Sequence, residues 1–164
     1  ASRKPDAIVS SDLRRCVDTA APLAELTGLP VRLDRRLRER HYGEWQGLTM
    51  GEVAERFPEA YARQRAGGHD LGHGIETPEE VGKRMGEALR EIADAMPGGT
   101  TVVVTHGGAA RYGVFELLNW PYSGLGGMAV LSNCHYTELN LDPVRGWMLR
   151  AHNVGAMEGA PGYE

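Results

Sequence analysis

Thr100-Thr101-Val102-Val103-Val104-Thr105-His106-Gly107-Gly108 is the stretch on which the fold turns. Its first six residues are β-branched, which suits a strand buried on both faces. The run gives way to a histidine and a glycine pair, and a helical pattern follows over about 109–118. Strand, glycine turn and helix in that order make a βα unit, and ligands collect at the carboxyl edge of sheets built from such units. His106 stands at that edge. Gly107 and Gly108 let backbone N–H groups approach an anion, and the helix N-terminus adds partial positive charge. The imidazole can then hydrogen-bond a phosphoryl oxygen. The plainer alternative is a histidine capping a tight turn. No Walker-type lysine and no GxGxxG run occurs, which argues against a nucleotide loop.

Outward from this unit, strands and helices alternate. Thr77, Pro78 and Glu80 start the clearest helix, with Val81, Met85, Ala88, Leu89, Ile92 and Met96 on one face and Pro97-Gly98-Gly99 as its stop. Near the beginning, Ala7-Ile8-Val9 reads as a strand, followed by N-cap candidates Ser10, Ser11 and Asp12. A helical pattern then runs through Leu13, Cys16, Val17, Ala20 and Ala24 to Gly28, and Pro22 predicts a kink or break in it. Val31-Arg32-Leu33 reads as a second short strand. Thr49 and Glu52 form a capping box for a helix that ends before Pro58, and 67–74 is a flexible loop by composition. Alternating runs over 135–141 and 146–151, separated by Asp142-Pro143-Val144-Arg145, predict a hairpin. The whole is an α/β layer fold without internal repeats or linkers.

With 164 residues, 41% hydrophobic and 24% charged, the chain is one globular domain of ordinary size. A net charge of −4 gives no reason to expect nucleic acid or an anionic membrane as partner. The arginines are nevertheless clustered: Arg32, Arg35, Arg36, Arg38 and Arg40 surround Asp34, a pattern read first as a solvated face. Cys16 and Cys134 have neither metal-site spacing nor enough partners for a disulfide framework. No signal peptide opens the sequence and no apolar run reaches membrane-spanning length, so a cytoplasmic location is the default expectation.

Two further segments carry candidate chemistry. Arg14 and Arg15 fall in the first turns of a helix just after a strand, where cations oppose the dipole. A bound phosphate would favour them, since guanidinium pairs with phosphate bidentately; a surface arginine is the bland alternative for each. Glu39 lies among arginines ahead of the turn at Gly43, where a carboxylate can protonate a leaving oxygen or serve as a salt-bridge partner. His69 and His73 stand four apart, but in a glycine-rich loop without further ligands in suitable spacing, so no metal is expected.

Taken together, these segments resemble one family. Ile8-Val9-Ser10-Ser11-Asp12-Leu13-Arg14-Arg15 with Asp18-Thr19-Ala20 is similar to the arginine-bearing block of the histidine phosphatase superfamily. Leu37-Arg38-Glu39 with Gly43-Glu44-Trp45-Gln46-Gly47 resembles its glutamate block, and Gly74-Ile75-Glu76-Thr77 with Val81 and Arg84 its "GES…R" stretch. Val103-Val104-Thr105-His106-Gly107-Gly108 with Arg111 resembles its second-histidine block. The blocks occur in family order over nearly the whole chain. The resemblance implies a nucleophilic histidine that attacks phosphorus and a phosphohistidine that water cleaves. It also implies that arginines and a second histidine hold the phosphoryl oxygens. Carried over, Glu39 is the acid/base, His106 the second histidine, and Arg15, Gly107 and Tyr42 contact substrate. No cofactor is implied, and a homodimer is compatible with the family.

The sequence departs from the family at one place. The family's nucleophile and its other arginine lie in an Arg-His-Gly motif after the first strand, and no Arg-His-Gly occurs here; Arg40-His41 is the sole Arg-His step. The expected fold is therefore three-layer α/β, a mainly parallel sheet flanked by helices of the phosphoglycerate mutase-like kind. It forms a single domain over 1–164 that lacks the first strand and helix at its N-terminus, with truncation favoured over natural loss. Because that strand is central in the family's sheet, a chain truly without it would leave a hole in its core.

Glu39-Arg40-His41-Tyr42 also matches the cofactor-dependent phosphoglycerate mutases, but their lysine and paired-arginine block does not follow. Gly43 to Gly47 looks like the phosphatase branch. Trp120-Pro121, Leu125-Gly126-Gly127-Met128, Thr137-Glu138-Leu139 and Trp147 with Asn153 resemble the actinobacterial glucosyl-3-phosphoglycerate phosphatases. A plain core role is the alternative for Trp45 and Trp120. The reading is a phosphomonoesterase acting on a small phosphorylated metabolite, with that substrate as the finer expectation and the nucleophile upstream of Ala1. The alternatives are a mutase and a non-catalytic phosphate-binding module.

Overall fold

The structure, a computed structural model, describes residues 4–155. Strand β1 (Ala7–Ser10) leads into helix α1 (Arg14–Thr27), and strand β2 (Val31–Leu33) follows. Short 3-10 turns at Arg35–Leu37 and Gly43–Trp45 carry the chain to helices α2 (Met50–Arg56) and α3 (Pro58–Arg65). Helix α4 (Pro78–Asp94), strand β3 (Thr101–Val104) and helix α5 (Gly107–Leu117) come next, and strands β4 (Tyr136–Asp142) and β5 (Gly146–Val154) close the described chain. No helix among the described residues is long and apolar enough to cross a membrane.

The three short strands form a parallel sheet in the order β2-β1-β3, and helices flank it. β1 pairs β3 directly, from Ala7 opposite Thr101 to Ser10 opposite Val104, so the ladder closes between them. The hairpin β4-β5 is a separate antiparallel sheet. β3 is thus an edge strand of the parallel sheet, which is why its residues are partly exposed rather than buried on both faces as the β-branched run predicts.

Local signals explain most elements. Both capping boxes form, Thr49 with Glu52 and Thr77 with Glu80, and each ties the N-cap and third residue reciprocally. The apolar face of α4 packs on α5, where Val81, Met85, Ala88 and Ile92 meet Ala109, Tyr112, Val114 and Phe115 in the main core. A smaller core gathers Trp45, Val53, Ala60, Leu71 and Ile75 under α2 and α3. Trp45 takes its plain role there, whereas Trp120 is 42% exposed and meets Phe115 edge-on.

Several expectations need correction. Helix α1 runs through Pro22 without a break: Pro22 and Asp18, four residues before it, are both exposed, so water can take the carbonyl that loses its donor. Its N-cap is Leu13 and no side chain caps it, although the Ser11 hydroxyl accepts from the Leu13 N–H at 3.4 Å. The segment 67–74 is pinned, with Leu71 fully buried and the His69 and Leu71 carbonyls accepting from Arg40 and Arg63. Gly43 sits against this segment at φ 48°, and a Cβ there would overlap the His73 carbonyl oxygen and Gly74. That close approach lets Glu44 N–H donate to the His73 carbonyl at 3.0 Å.

Candidate active site

The β1–β3 register brings the ends of two distant segments together. Ser11 N–H donates to the Val104 carbonyl at 2.9 Å, which places Ser11 and the start of α1 beside His106. His106 is 7% exposed and forms the N-cap of α5. Its Nδ1 accepts from Arg15 Nε at 3.1 Å, its Nε2 lies 3.0 Å from the Ser11 hydroxyl, and the Cys16 sulfur lies over the ring at 3.4 and 3.7 Å from the two nitrogens. Burial pushes the His106 pKa below its ordinary value and the Arg15 charge adds to this, with Glu39 opposing, so the imidazole is neutral at pH 7. Burial likewise pushes the Cys16 thiol up.

Arg15 is exposed at the mouth of this cluster. Its Nε is committed to His106, and among the described residues its two η nitrogens make no hydrogen bond. The end of the guanidinium therefore faces solvent as a two-pronged donor, the geometry that grips a phosphate. Arg14 differs: its side chain is 93% exposed and, among the described residues, pairs with Asp18 alone, at 3.5 Å.

Glu39 reaches the same corner from a third segment. Thr105 Oγ1 donates to the Leu37 carbonyl at 2.7 Å, fastening the glutamate loop to the end of β3. Arg84 of α4 donates to the carbonyls of Arg36, Arg38 and Glu39 and pairs with Glu76 at 2.8 Å. So held, the Glu39 carboxylate accepts from the N–H groups of Arg40 and Ala109, both at 2.8 Å, and of Gly108 at 3.0 Å. Arg15, Glu39 and His106 thus converge at the carboxyl edge of β1 and β3.

The anion at the N-terminus of α5 is consequently a protein carboxylate, where the glycine pair had suggested a phosphate. Gly108 needs its bare Cα because a Cβ would stand 2.7 Å from Glu39 Oε1. A Cβ on Gly107 would meet the Leu131 carbonyl at 2.6 Å, so packing of the 130–131 segment explains that glycine. Tyr42 is 38% exposed, its ring lies 5.5 Å from the Arg40 guanidinium carbon, and burial raises its phenol pKa. It lines an uncharged cavity of about 380 Å³ with Trp45, Leu48, Met50 and Val53.

Three arginines of the cluster, Arg35, Arg36 and Arg38, pair with carboxylates. Arg38 grips Asp12 with two contacts of 2.6 Å, Arg36 pairs with Asp34 and Glu91, and Arg40 is buried among carbonyls. Among the described residues no three His, Cys, Asp or Glu side chains gather as metal ligands, and His73 faces Glu44 and the Phe57 ring. Sequence reasoning missed three contributors. The sequence marks Ser11 as a capping candidate and a letter of the arginine block, Cys16 as an apolar helix position and Arg84 as a motif letter, and no local signal ties Ser11 to His106.

Comparison with known proteins agrees with this arrangement. A profile of the histidine phosphatase superfamily (branch 1) matches residues 1–154. A glucosyl-3-phosphoglycerate phosphatase of Mycobacterium tuberculosis is 40% identical over 151 residues, covering 84% of this chain and 66% of the relative. The protein of the same name from Mycolicibacterium vanbaalenii is 36% identical over 174 residues, covering 95% and 77%. The solved structure of a mycobacterial glucosyl-3-phosphoglycerate phosphatase with inorganic phosphate superposes with a TM-score of 0.81 at 35% identity, covering 92% of this chain and 78% of that one. The chain therefore spans about two thirds of the length of the Mycobacterium tuberculosis relative. Fold, ordered blocks and relatives agree, and the chain belongs to the histidine phosphatase superfamily.

Proposed function

We propose that this chain is the phosphate-holding part of a phosphomonoesterase that acts on a small phosphorylated metabolite through a phosphohistidine intermediate. The observation that carries the reading is the 3.1 Å contact between Arg15 and His106, 91 residues apart, with the η end of Arg15 open beside them. Arg15 takes two phosphoryl oxygens through its η nitrogens, and His106, whose Nδ1 anchors Arg15 Nε, holds that guanidinium in place as negative charge builds in the transition state. Glu39 supplies the proton to the leaving oxygen; its Oε2, which carries one backbone donor, is the oxygen with room for that proton. Tyr42, whose phenol is close enough to Glu39 for their charges to interact, contacts the organic part of the ester. The names of the mycobacterial relatives favour a glucosyl-3-phosphoglycerate-type substrate.

The nucleophilic histidine of the family belongs to an Arg-His-Gly step that these 164 residues do not contain. The test is to assay the intact gene product and this chain side by side with p-nitrophenyl phosphate. Hydrolysis by a gene product that carries the step, with phosphate binding alone by this chain, is expected. A gene product that carries the step and leaves phosphomonoesters intact would overturn the reading. A second reading, a non-catalytic phosphate-binding module, draws on the lack of an Arg-His-Gly step in these 164 residues. A gene product without the step that still binds phosphate would decide for it.

Glu39→Gln gives a sharper check on the acid role. In the active gene product it is expected to slow esters with alkoxide leaving groups by about 10²–10⁴-fold in kcat/KM while sparing p-nitrophenyl phosphate, whose leaving group needs little protonation. A uniform drop for both substrates would assign Glu39 to holding the N-terminus of α5 alone.

A further inference from the structure

We propose that Ser11 is a positioning residue that fixes the tautomer of His106 and through it aims Arg15 at a bound phosphate; this rests on the phosphate-site reading above. The chemistry of the donors leaves little choice. Arg15 Nε–H can only donate, so at 3.1 Å the Nδ1 of His106 must offer a lone pair. A neutral imidazole has one N–H, which then sits on Nε2, and Nε2 lies 3.0 Å from the Ser11 hydroxyl. Ser11 is fully buried, and its oxygen also accepts from the Leu13 N–H at 3.4 Å, which orients it as an acceptor. The Cys16 sulfur also lies 3.4 Å from Nε2, but it is a weak acceptor and its own S–H reaches the Thr105 carbonyl at 3.5 Å, so the Ser11 hydroxyl is the stronger partner of Nε2. Burial and the charge of Arg15 keep the ring neutral, as this scheme requires.

The consequence runs outward in three steps. Ser11 takes the Nε2 proton, Nδ1 is left as acceptor, and the acceptor anchors Arg15 Nε with its η nitrogens pointing to solvent. Without the hydroxyl the Nδ1–H tautomer becomes accessible. It would set N–H against N–H at Arg15, and the guanidinium would swing away.

Ser11→Ala tests this, with Ser10→Ala as the comparison. Ser10 is equally buried, but its hydroxyl donates only to the Ser11 carbonyl at 2.9 Å, so it shares the packing role and lacks the imidazole contact. Long-range ¹⁵N–¹H spectra of the imidazoles report the tautomer, and titration with inorganic phosphate reports the site. Wild type and Ser10→Ala are expected to hold His106 as the Nε2–H form. Ser11→Ala is expected to show a mixture of tautomers and to bind inorganic phosphate about three- to tenfold more weakly, the loss of one hydrogen bond. An unchanged His106 tautomer in Ser11→Ala, or an equal change in Ser10→Ala, overturns the positioning role while leaving the phosphate site standing. A wild-type chain that binds no phosphate overturns the site itself, and the aiming of Arg15 with it.

Discussion

Replacing Arg15 with alanine is expected to lower kcat/KM for p-nitrophenyl phosphate by about 10²–10³-fold in the active gene product, through loss of charge stabilisation in the transition state. The same replacement of Arg14 should stay within about twofold, the range of an exposed ion pair. The two side chains are neighbours in sequence and opposites in setting. Arg15 Nε is fixed by a buried imidazole, and the open η end is already oriented, so little is lost in ordering it when phosphate arrives. Arg14 is 93% exposed and touches one aspartate across the helix surface. Arg15→Lys should recover only part of the loss, because a point charge reproduces neither the bidentate grip nor the Nε contact with His106. Equal losses for Arg14 and Arg15 would place the phosphate elsewhere.

The second large effect is on stability. Arg84→Ala is expected to cost about 2–4 kcal/mol in urea unfolding at neutral pH, since it strands a half-buried carboxylate and three carbonyls at once. Arg84 is 19% exposed and Glu76 24%, so solvent compensates little. Burial pushes the Glu76 carboxyl up, but the Arg84 hydrogen bonds and the His41 N–H outweigh it and hold the group below its ordinary 4.5. A carboxyl lowered in the folded state stabilises the fold above its unfolded value. That contribution disappears as pH falls through the folded-state value. Wild type should therefore lose stability as pH drops below about 4.5, and Arg84→Ala should lose less over the same range. A cost under about 0.5 kcal/mol, typical of a surface position, would show that Arg84 does not clamp the glutamate loop.

Parts of this architecture were legible in the sequence because their causes are local. The β-branched run before His106 and the capping box and apolar stripe of α4 each announce an element within a few residues. Helix α3 escaped because Pro58–Arg65 has no apolar face; Ala60 is its one buried residue, and Pro58 marks a start that reads equally well as a stop. The candidate site was legible only as separate letters. Arg15, Glu39 and His106 could be named from their blocks, but their contacts span 69 to 91 residues and depend on the register of β1 against β3. Hence the occupant of the α5 N-terminus was misread. Nothing near Gly108 in sequence says that its N–H faces Glu39, and an anion site with a resident carboxylate looks the same in sequence as an open one. Ser11 was hidden for the same reason, since its acceptor role is defined by a ring 95 positions away.

The measurement closest to the central claim is a crystal structure of this chain soaked with inorganic phosphate. The anion is expected at the carboxyl edge of β1 and β3, within hydrogen-bond distance of the Arg15 η nitrogens and beside His106. Phosphate seated instead among Arg32, Arg35 and Arg36, or ordered nowhere with Arg15 still on His106, would contradict the assignment of Arg15 and His106 as the phosphate site.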